Sequence, residues 1–192
     1  VPIHGGVVLS LERMNRILEI DENTMTATVE PGVLLSDFIR EVEARGLFYP
    51  PDPGEKTATL GGNAMTNAGG MRAVRYGVTR DYVLGMQVAL PSGELLDLGG
   101  KVVKTSSGYS LLSLLVGSEG TLGIVTKLIL KLLPMPRANV SVLAPFDDLD
   151  ACVRAVPQVL ACGAEPTAVE FMEREVIACA ETYLGKRFPD TS

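Results

Sequence analysis

Small residues crowd two stretches of this chain. The first runs from Pro50-Pro51-Asp52-Pro53-Gly54 to Gly69-Gly70, and the second is Gly117-Ser118-Glu119-Gly120-Thr121-Leu122-Gly123. The first gathers Thr57, Thr59, Gly61, Gly62, Asn63, Thr66, Asn67, Ala68, Gly69 and Gly70 with almost no positive charge. Glycine lets the main chain approach a neighbour closely and adopt positive φ. Successive N–H groups in such turns form concave nests that hold an anion without a lysine. In the second stretch Gly117, Gly120 and Gly123 recur at every third position between an apolar helix and an apolar strand. A plain connection need be neither this long nor this poor in charge. Taken as a pair, the two stretches imply a backbone that closes on a large, phosphate-bearing ligand.

Other chemistries find little material. No G-x-G-x-x-G follows a strand, so the nicotinamide fingerprint is missing. Lys101 follows Gly99-Gly100 but lacks the upstream glycine and downstream Ser or Thr of a phosphate-binding P-loop, and no nucleophile elbow occurs. His4 is the single histidine and is expected in a loop, which argues against a self-contained Ser-His-Asp or Cys-His engine. Cys152, Cys162 and Cys179 are odd in number and widely spaced. They suit small apolar fillers in a reducing compartment better than a disulfide framework or a zinc site. Arg72, Arg75 and Arg80 lie close together. They either offer forked donors to a carboxylate or phosphate, or pair locally with neighbouring acids.

The elements that must position these residues can be read from periodicity. Hydrophobic residues make up 46% of the 192, enough for a buried core. The net charge of −6 and the lack of a basic tract argue against nucleic acid as a partner. No apolar run approaches the ~20 residues of a membrane span. Strands are expected at Val7–Leu11 and Ala27–Glu30, the latter ended by Pro31-Gly32. Leu34, Leu35, Phe38, Ile39 and Val42 have helical spacing over 34–44, and Gly46 stops that helix. Phe48–Thr57 is too rich in proline and glycine to be regular, and Gly61–Asn67 suits one short, tightly packed helical turn. A hairpin is expected from Tyr82–Leu90 and Glu94–Leu98, with Val83, Val88, Leu90, Leu95 and Leu96 as core candidates. Leu111–Val116 reads as a short helix and Gly123–Leu133 as one long, mostly buried strand. After Pro134 and Pro136 the order becomes strand 139–143, helix 149–162, strand 167–171 and helix 173–184. That places a domain boundary near Pro136, with 1–136 and 137–192 on either side.

The phrases Val29-Glu30-Pro31-Gly32, Pro51-Asp52-Pro53, Thr59-Leu60-Gly61-Gly62, Thr66-Asn67-Ala68-Gly69-Gly70, Arg75-Tyr76-Gly77 and Gly117 through Val125 occur in one order. In this order they resemble the PCMH-type FAD-binding domain of the vanillyl-alcohol oxidase superfamily. Within it, the resemblance is to the FAD-linked 2-hydroxyacid dehydrogenases, of the glycolate oxidase flavoprotein and FAD-dependent D-lactate dehydrogenase kind. The fold this implies is α+β: a second FAD subdomain of mainly antiparallel sheet with flanking helices, then the start of a ferredoxin-like α+β cap. The Glu165–Met172 segment resembles the early cap.

The resemblance also implies site residues. Pro51 and Asp52 would line FAD near its ring. Thr59, Gly61 and Gly62 would approach the flavin and its chain, with Thr66, Asn67, Ala68 and Gly69 contacting it from the next turn. Glu119, Gly120, Thr121, Gly123, Ile124 and Val125 would hold the adenosine side through main-chain groups, unless Glu119 is only a capping carboxylate. Tyr76-Gly77 would be a structural turn beside the site.

The implied activity is oxidation of a 2-hydroxy acid to the 2-oxo acid by hydride transfer to flavin. Electrons would pass on to an acceptor subunit carrying iron–sulfur or a cytochrome. The implied location is cytoplasmic, or peripheral to a membrane through that partner. Alternatives are a superfamily flavoenzyme acting on a sugar lactone, aromatic alcohol or ether lipid, and a non-catalytic flavin-fold subunit for assembly or electron relay. The family's glycine-rich diphosphate loop and its histidine-bearing substrate and metal motifs are expected outside this chain, so no catalytic residue or metal ligand is assigned within it. With half the cradle absent, the chain alone is expected to bind FAD weakly or not at all.

Overall fold

The computed structural model describes residues 3–188, which fall into two compact units divided between Pro136 and Arg137. The first unit is built on a five-stranded antiparallel sheet and has the mainly antiparallel α+β character that the sequence implies. In chain order its elements are β1 (Ile17–Asp21), β2 (Thr26–Val29), α1 (Leu35–Glu43), β3 (Leu47–Phe48), α2 (Leu60–Thr66) and α3 (Ala73–Tyr76). A 3-10 turn (Thr79–Tyr82), β4 (Val83–Ala89), β5 (Leu95–Gly99), α4 (Leu111–Leu115), β6 (Ile124–Lys131) and β7 (Leu133–Pro134) follow. The sheet order is β1-β2-β6-β4-β5, and β3 pairs with β7 in a separate two-stranded ribbon. The second unit holds α5 (Leu149–Ala161) and α6 (Arg174–Leu184).

Alternation explains the sheet. Val83, Met86 and Val88 of β4 and Val125, Leu128 and Leu130 of β6 are buried, and Ala27 and Val29 extend that layer through β2. Onto it α1 turns Leu35, Phe38 and Val42, all fully buried, the apolar stripe read from the sequence. Tyr49 fills the space between Phe38 and Tyr82, with ring centroids at 5.1 and 5.9 Å and edge-on geometry. Its hydroxyl is buried with no partner among the described residues, and burial pushes its pKa up.

Several expectations are corrected. Residues 7–11 form no strand, and Val7, Val8 and Leu9 are exposed. The edge position beside β2 is taken instead by β1, which the sequence reading missed. The 7–14 stretch serves as a clasp, in which the Met14 carbonyl accepts the Gly32 N–H at 2.7 Å. The span 48–57 is not wholly irregular, because Phe48 closes β3 against Leu133. The long strand over 123–133 breaks at Leu132, whose N–H turns to the Met25 carbonyl at 2.8 Å. Leu95 is exposed, since β5 is an edge strand and this residue points away from the core. In the second unit, 139–143 and 167–171 form no strands among the described residues: neither has a neighbouring strand to complete a ladder, and Val140, Val142 and Phe171 are exposed. Only the helices of the expected strand–helix alternation are present.

An ion cluster ties the sheet edge to the chain after β5. Lys101 Nζ donates to Glu19 at 2.7 Å and to Asp21 at 3.1 Å. Hydrogen bonds from Thr24, reinforced by Lys101, hold the Asp21 carboxyl at about 2, below its ordinary 3.8. A depressed folded-state pKa contributes stability that is full above the unfolded value and is lost as pH falls through the folded one. In urea unfolding at stepped pH, the stability advantage of the wild type over Asp21→Asn is expected to shrink between about pH 4 and pH 2. A difference that stays constant across that window contradicts the assignment.

Candidate functional site

The site is assembled around α2. Thr59 caps it, its Oγ1 accepting the Gly62 N–H at 3.1 Å, and Thr66 Oγ1 donates back to the Gly62 carbonyl at 3.0 Å. Two glycines in so short a helix cost about 1 kcal/mol each in propensity. The reason for Gly61 is steric. A Cβ there would lie 2.5 Å from Pro31 Cβ, and the Gly61 N–H donates to the Pro31 carbonyl at 2.8 Å. The Val29-Glu30-Pro31-Gly32 phrase is therefore a platform for the helix start. It is locked by Glu30, whose carboxylate accepts from the Arg16 main chain at 2.9 Å and from its guanidinium at 2.8 Å. Those bonds hold the Glu30 carboxyl below its usual range.

Beyond α2 the chain turns through Asn67, which sits in the left-handed region at φ 48°. Asparagine tolerates that conformation better than most residues. The 3-10 turn straps this corner down: Thr79 donates to the Ala68 carbonyl through both N–H (3.0 Å) and Oγ1 (2.7 Å), and the Arg80 N–H donates to Asn67 Oδ1 at 2.9 Å. The next turn meets the proline loop. A Cβ on Gly70 would lie 2.1 Å from the Asp52 carbonyl, so only glycine permits the approach. Asp52 is nearly buried and holds two cations, Lys56 and, at 3.4 Å, Arg72, whose guanidinium also lies 5.1 Å over the Phe48 ring. Partial burial and the Arg72 charge lower the Lys56 pKa.

The second glycine stretch docks on the end of this same helix. A helix leaves its last carbonyls without intrahelical donors. Here Gly117 N–H donates to the Ala64 carbonyl and Glu119 N–H to the Met65 carbonyl, each at 2.9 Å. Ser118 Oγ lies 3.8 Å from Met65 Sδ. The turn needs left-handed backbone at Gly117 (φ 86°), Glu119 (φ 53°) and Gly120 (φ 74°). A Cβ on Gly117 would sit 3.4 Å from Asn67 Cβ, so the two stretches touch.

The expected residues therefore fall into connected groups. Asp52 meets Gly70, with Pro51 buried just before it; Thr59, Gly61 and Gly62 form the helix start; Thr66, Asn67, Ala68 and Gly69 form its end; and Glu119 is bonded to that end. Gly120 and Thr121 continue the turn on the surface. Gly123 packs against Val88, Ile124 opens β6, and the Val125 side chain is buried in the core opposite Val88. Sequence reasoning placed Asn63 in the first stretch without giving it a cofactor contact, and left Arg80 undecided. Asn63 could have been noticed as the one polar side chain on the buried face of an otherwise small, apolar turn.

These residues offer unpartnered donors that suit a ligand rich in acceptors. The N–H groups of Gly69, Gly70 and Gly120 have no partner among the described residues, and neither does the buried Asn63 Nδ2. A Cβ on Gly120 would meet nothing within 4 Å, which leaves open space above the turn.

Residues 2–99 match the family described as FAD binding domain, and residues 135–192 match the C-terminal domain of FAD linked oxidases. The chain belongs to the FAD-linked oxidase family. A D-lactate dehydrogenase of Anaerostipes hadrus is 54% identical over 97% of this chain and 39% of its own length. Glycolate oxidase subunit GlcD of Bacillus subtilis is 49% identical over 100% of this chain and 41% of its own length. Among solved structures, an alkyldihydroxyacetonephosphate synthase superposes with a TM-score of 0.70 at 27% identity, over 82% of this chain and 28% of that one. The chain thus spans about two fifths of the length of the two curated relatives.

Gly61→Ala and Gly54→Ala form a matched pair. The first drives a methyl into Pro31 and is expected to cost about 1–3 kcal/mol. At Gly54 a methyl meets nothing within 4 Å, and urea unfolding should register a change within about 0.5 kcal/mol. Equal losses for the two variants contradict the platform role of Pro31.

Proposed function

We propose that the whole protein oxidises a small 2-hydroxy acid of the glycolate or D-lactate kind to the 2-oxo acid, with FAD as its cofactor. Residues 1–136 are the C-terminal part of the FAD-binding domain, and 137–192 begin the cap that faces substrate. The observation that carries this reading is the docking of 117–119 on the last carbonyls of α2, which joins two sequence-distant, charge-poor turns into one cradle. The identities of 54% and 49% to a D-lactate dehydrogenase and a glycolate oxidase subunit favour a 2-hydroxy acid over the ether-lipid substrate class suggested by the 27% structural neighbour.

When bound, FAD supplies the two-electron acceptor that no side chain can provide. This chain's contribution is position. Main-chain N–H groups at Gly69, Gly70 and Gly120 donate to no acceptor among the described residues and can donate to carbonyl or phosphate oxygens of the cofactor. Asp52, tied to Lys56 and Arg72, fixes the proline loop beside them. Thr59 and Gly62 present a side-chain-poor surface on which a flat ring system can lie, while Gly61 is buried against Pro31 and fixes the helix start beneath them. The electrons would pass on to a partner subunit bearing iron–sulfur or haem, with the protein in the cytoplasm or held at a membrane through that partner. Among the described residues no helix is long and apolar enough to cross a membrane.

The full-length protein is expected to carry FAD and to reduce an artificial dye with glycolate or D-lactate from a panel of D- and L-2-hydroxy acids. Bound FAD without dye reduction by any panel member points to the non-catalytic subunit and overturns the proposal.

A further inference from the structure

Arg72, Arg75 and Arg80 lie within one short segment but are engaged differently. Arg72 is committed to Asp52 and the Phe48 ring, and Arg75 lies over the Tyr76 ring at 5.3 Å. Arg80 links the first glycine stretch to the residue that leads into the second. Its main-chain N–H donates to Asn67 Oδ1 at 2.9 Å, and its guanidinium Nη2 donates to the Val116 carbonyl at 2.8 Å. No carboxylate pairs with Arg80 among the described residues, so this charge is not spent on an ion pair.

Both ends of the link are anchored by buried neighbours. Thr79, the residue before Arg80, is 1% exposed and bonded twice to Ala68, and Val116 is 1% exposed in the core. The link also depends on Gly117: a Cβ there would lie 3.2 Å from Arg80 Nη2 as well as 3.4 Å from Asn67 Cβ. A charged donor to a neutral carbonyl is among the stronger hydrogen bonds in proteins. The Arg80 side chain itself is exposed, so shortening it leaves no cavity in the core.

We propose that Arg80 is a positioning residue that holds the two glycine stretches in register and so presets the cofactor cradle, acting through Asn67 and Val116 rather than by touching the ligand. This rests on the FAD reading above.

The test uses the full-length protein as wild type, Arg80→Met and Arg80→Lys. Amide hydrogen exchange is measured on the flavin-free form, and FAD affinity by flavin fluorescence. In Arg80→Met the amides of Gly117 and Glu119 are expected to exchange about tenfold faster or more, with β2 and β6 unchanged. FAD affinity should fall by a similar factor. Arg80→Lys, which still offers one charged donor, should recover part of both effects. If Arg80→Met does not fold, the Lys variant carries the same comparison with smaller changes in the same direction.

Unchanged exchange at Gly117 and Glu119 overturns the proposal. Faster exchange with unaltered FAD affinity also overturns it. Weaker FAD binding with unchanged exchange does so too, by indicating direct contact with the ligand. If the wild type takes up no FAD, the cofactor reading fails, while the exchange measurement still decides whether Arg80 ties the loops.

Discussion

The last carbonyls of a helix need donors, and α2 takes its donors from a loop some fifty residues further along the chain. The Ala64 and Met65 carbonyls accept from Gly117 and Glu119, and this pair of bonds defines where the second glycine stretch can be. Without it the two stretches are independent surface turns. With it, the end of α2, the Asn67 corner and the 117–120 turn form one continuous wall of main-chain groups. The left-handed backbone at Gly117, Glu119 and Gly120 follows from the same requirement, because the turn must present the Gly117 and Glu119 N–H groups to the helix while Ser118 bonds back to the Leu115 carbonyl.

The rest of the first unit holds α2 in place. Pro31 stands against Gly61, Glu30 is clamped by Arg16, and the clasp at Leu11–Met14 closes over Gly32. Below, the buried faces of β2, β6 and β4 give the helix and α1 a common floor. The proline loop is anchored by the Gly70–Asp52 approach and by the two cations on Asp52. Each glycine-bearing phrase is thus explained by a neighbour that a Cβ would strike, or by a turn that an L side chain would strain.

Much of this was legible in the sequence because its signals are local. The stripe of Leu35, Phe38 and Val42 announces α1, the Pro91-Ser92-Gly93 turn announces the β4–β5 hairpin, and crowded small residues announce both loops. What escaped is non-local. Ile17–Asp21 carries two acids in five residues and becomes a strand only because β2 offers an edge, whereas the more apolar 7–11 finds none. Residues 139–143 and 167–171 have strand composition but no neighbouring strand, and composition alone does not make a ladder. Arg80 looked like one of three equivalent arginines. Its distinction lies in reaching Val116 across 36 positions of sequence, which no spacing rule reports. The site residues were legible as phrases, but their convergence was not.

A structure of the full-length protein with FAD tests the central claim most directly. The account predicts one FAD molecule in contact with both the 59–70 and the 117–123 stretches, with the Gly117 to Ala64 and Glu119 to Met65 hydrogen bonds intact. A cofactor touching one stretch only, or those bonds absent beneath it, would contradict the account.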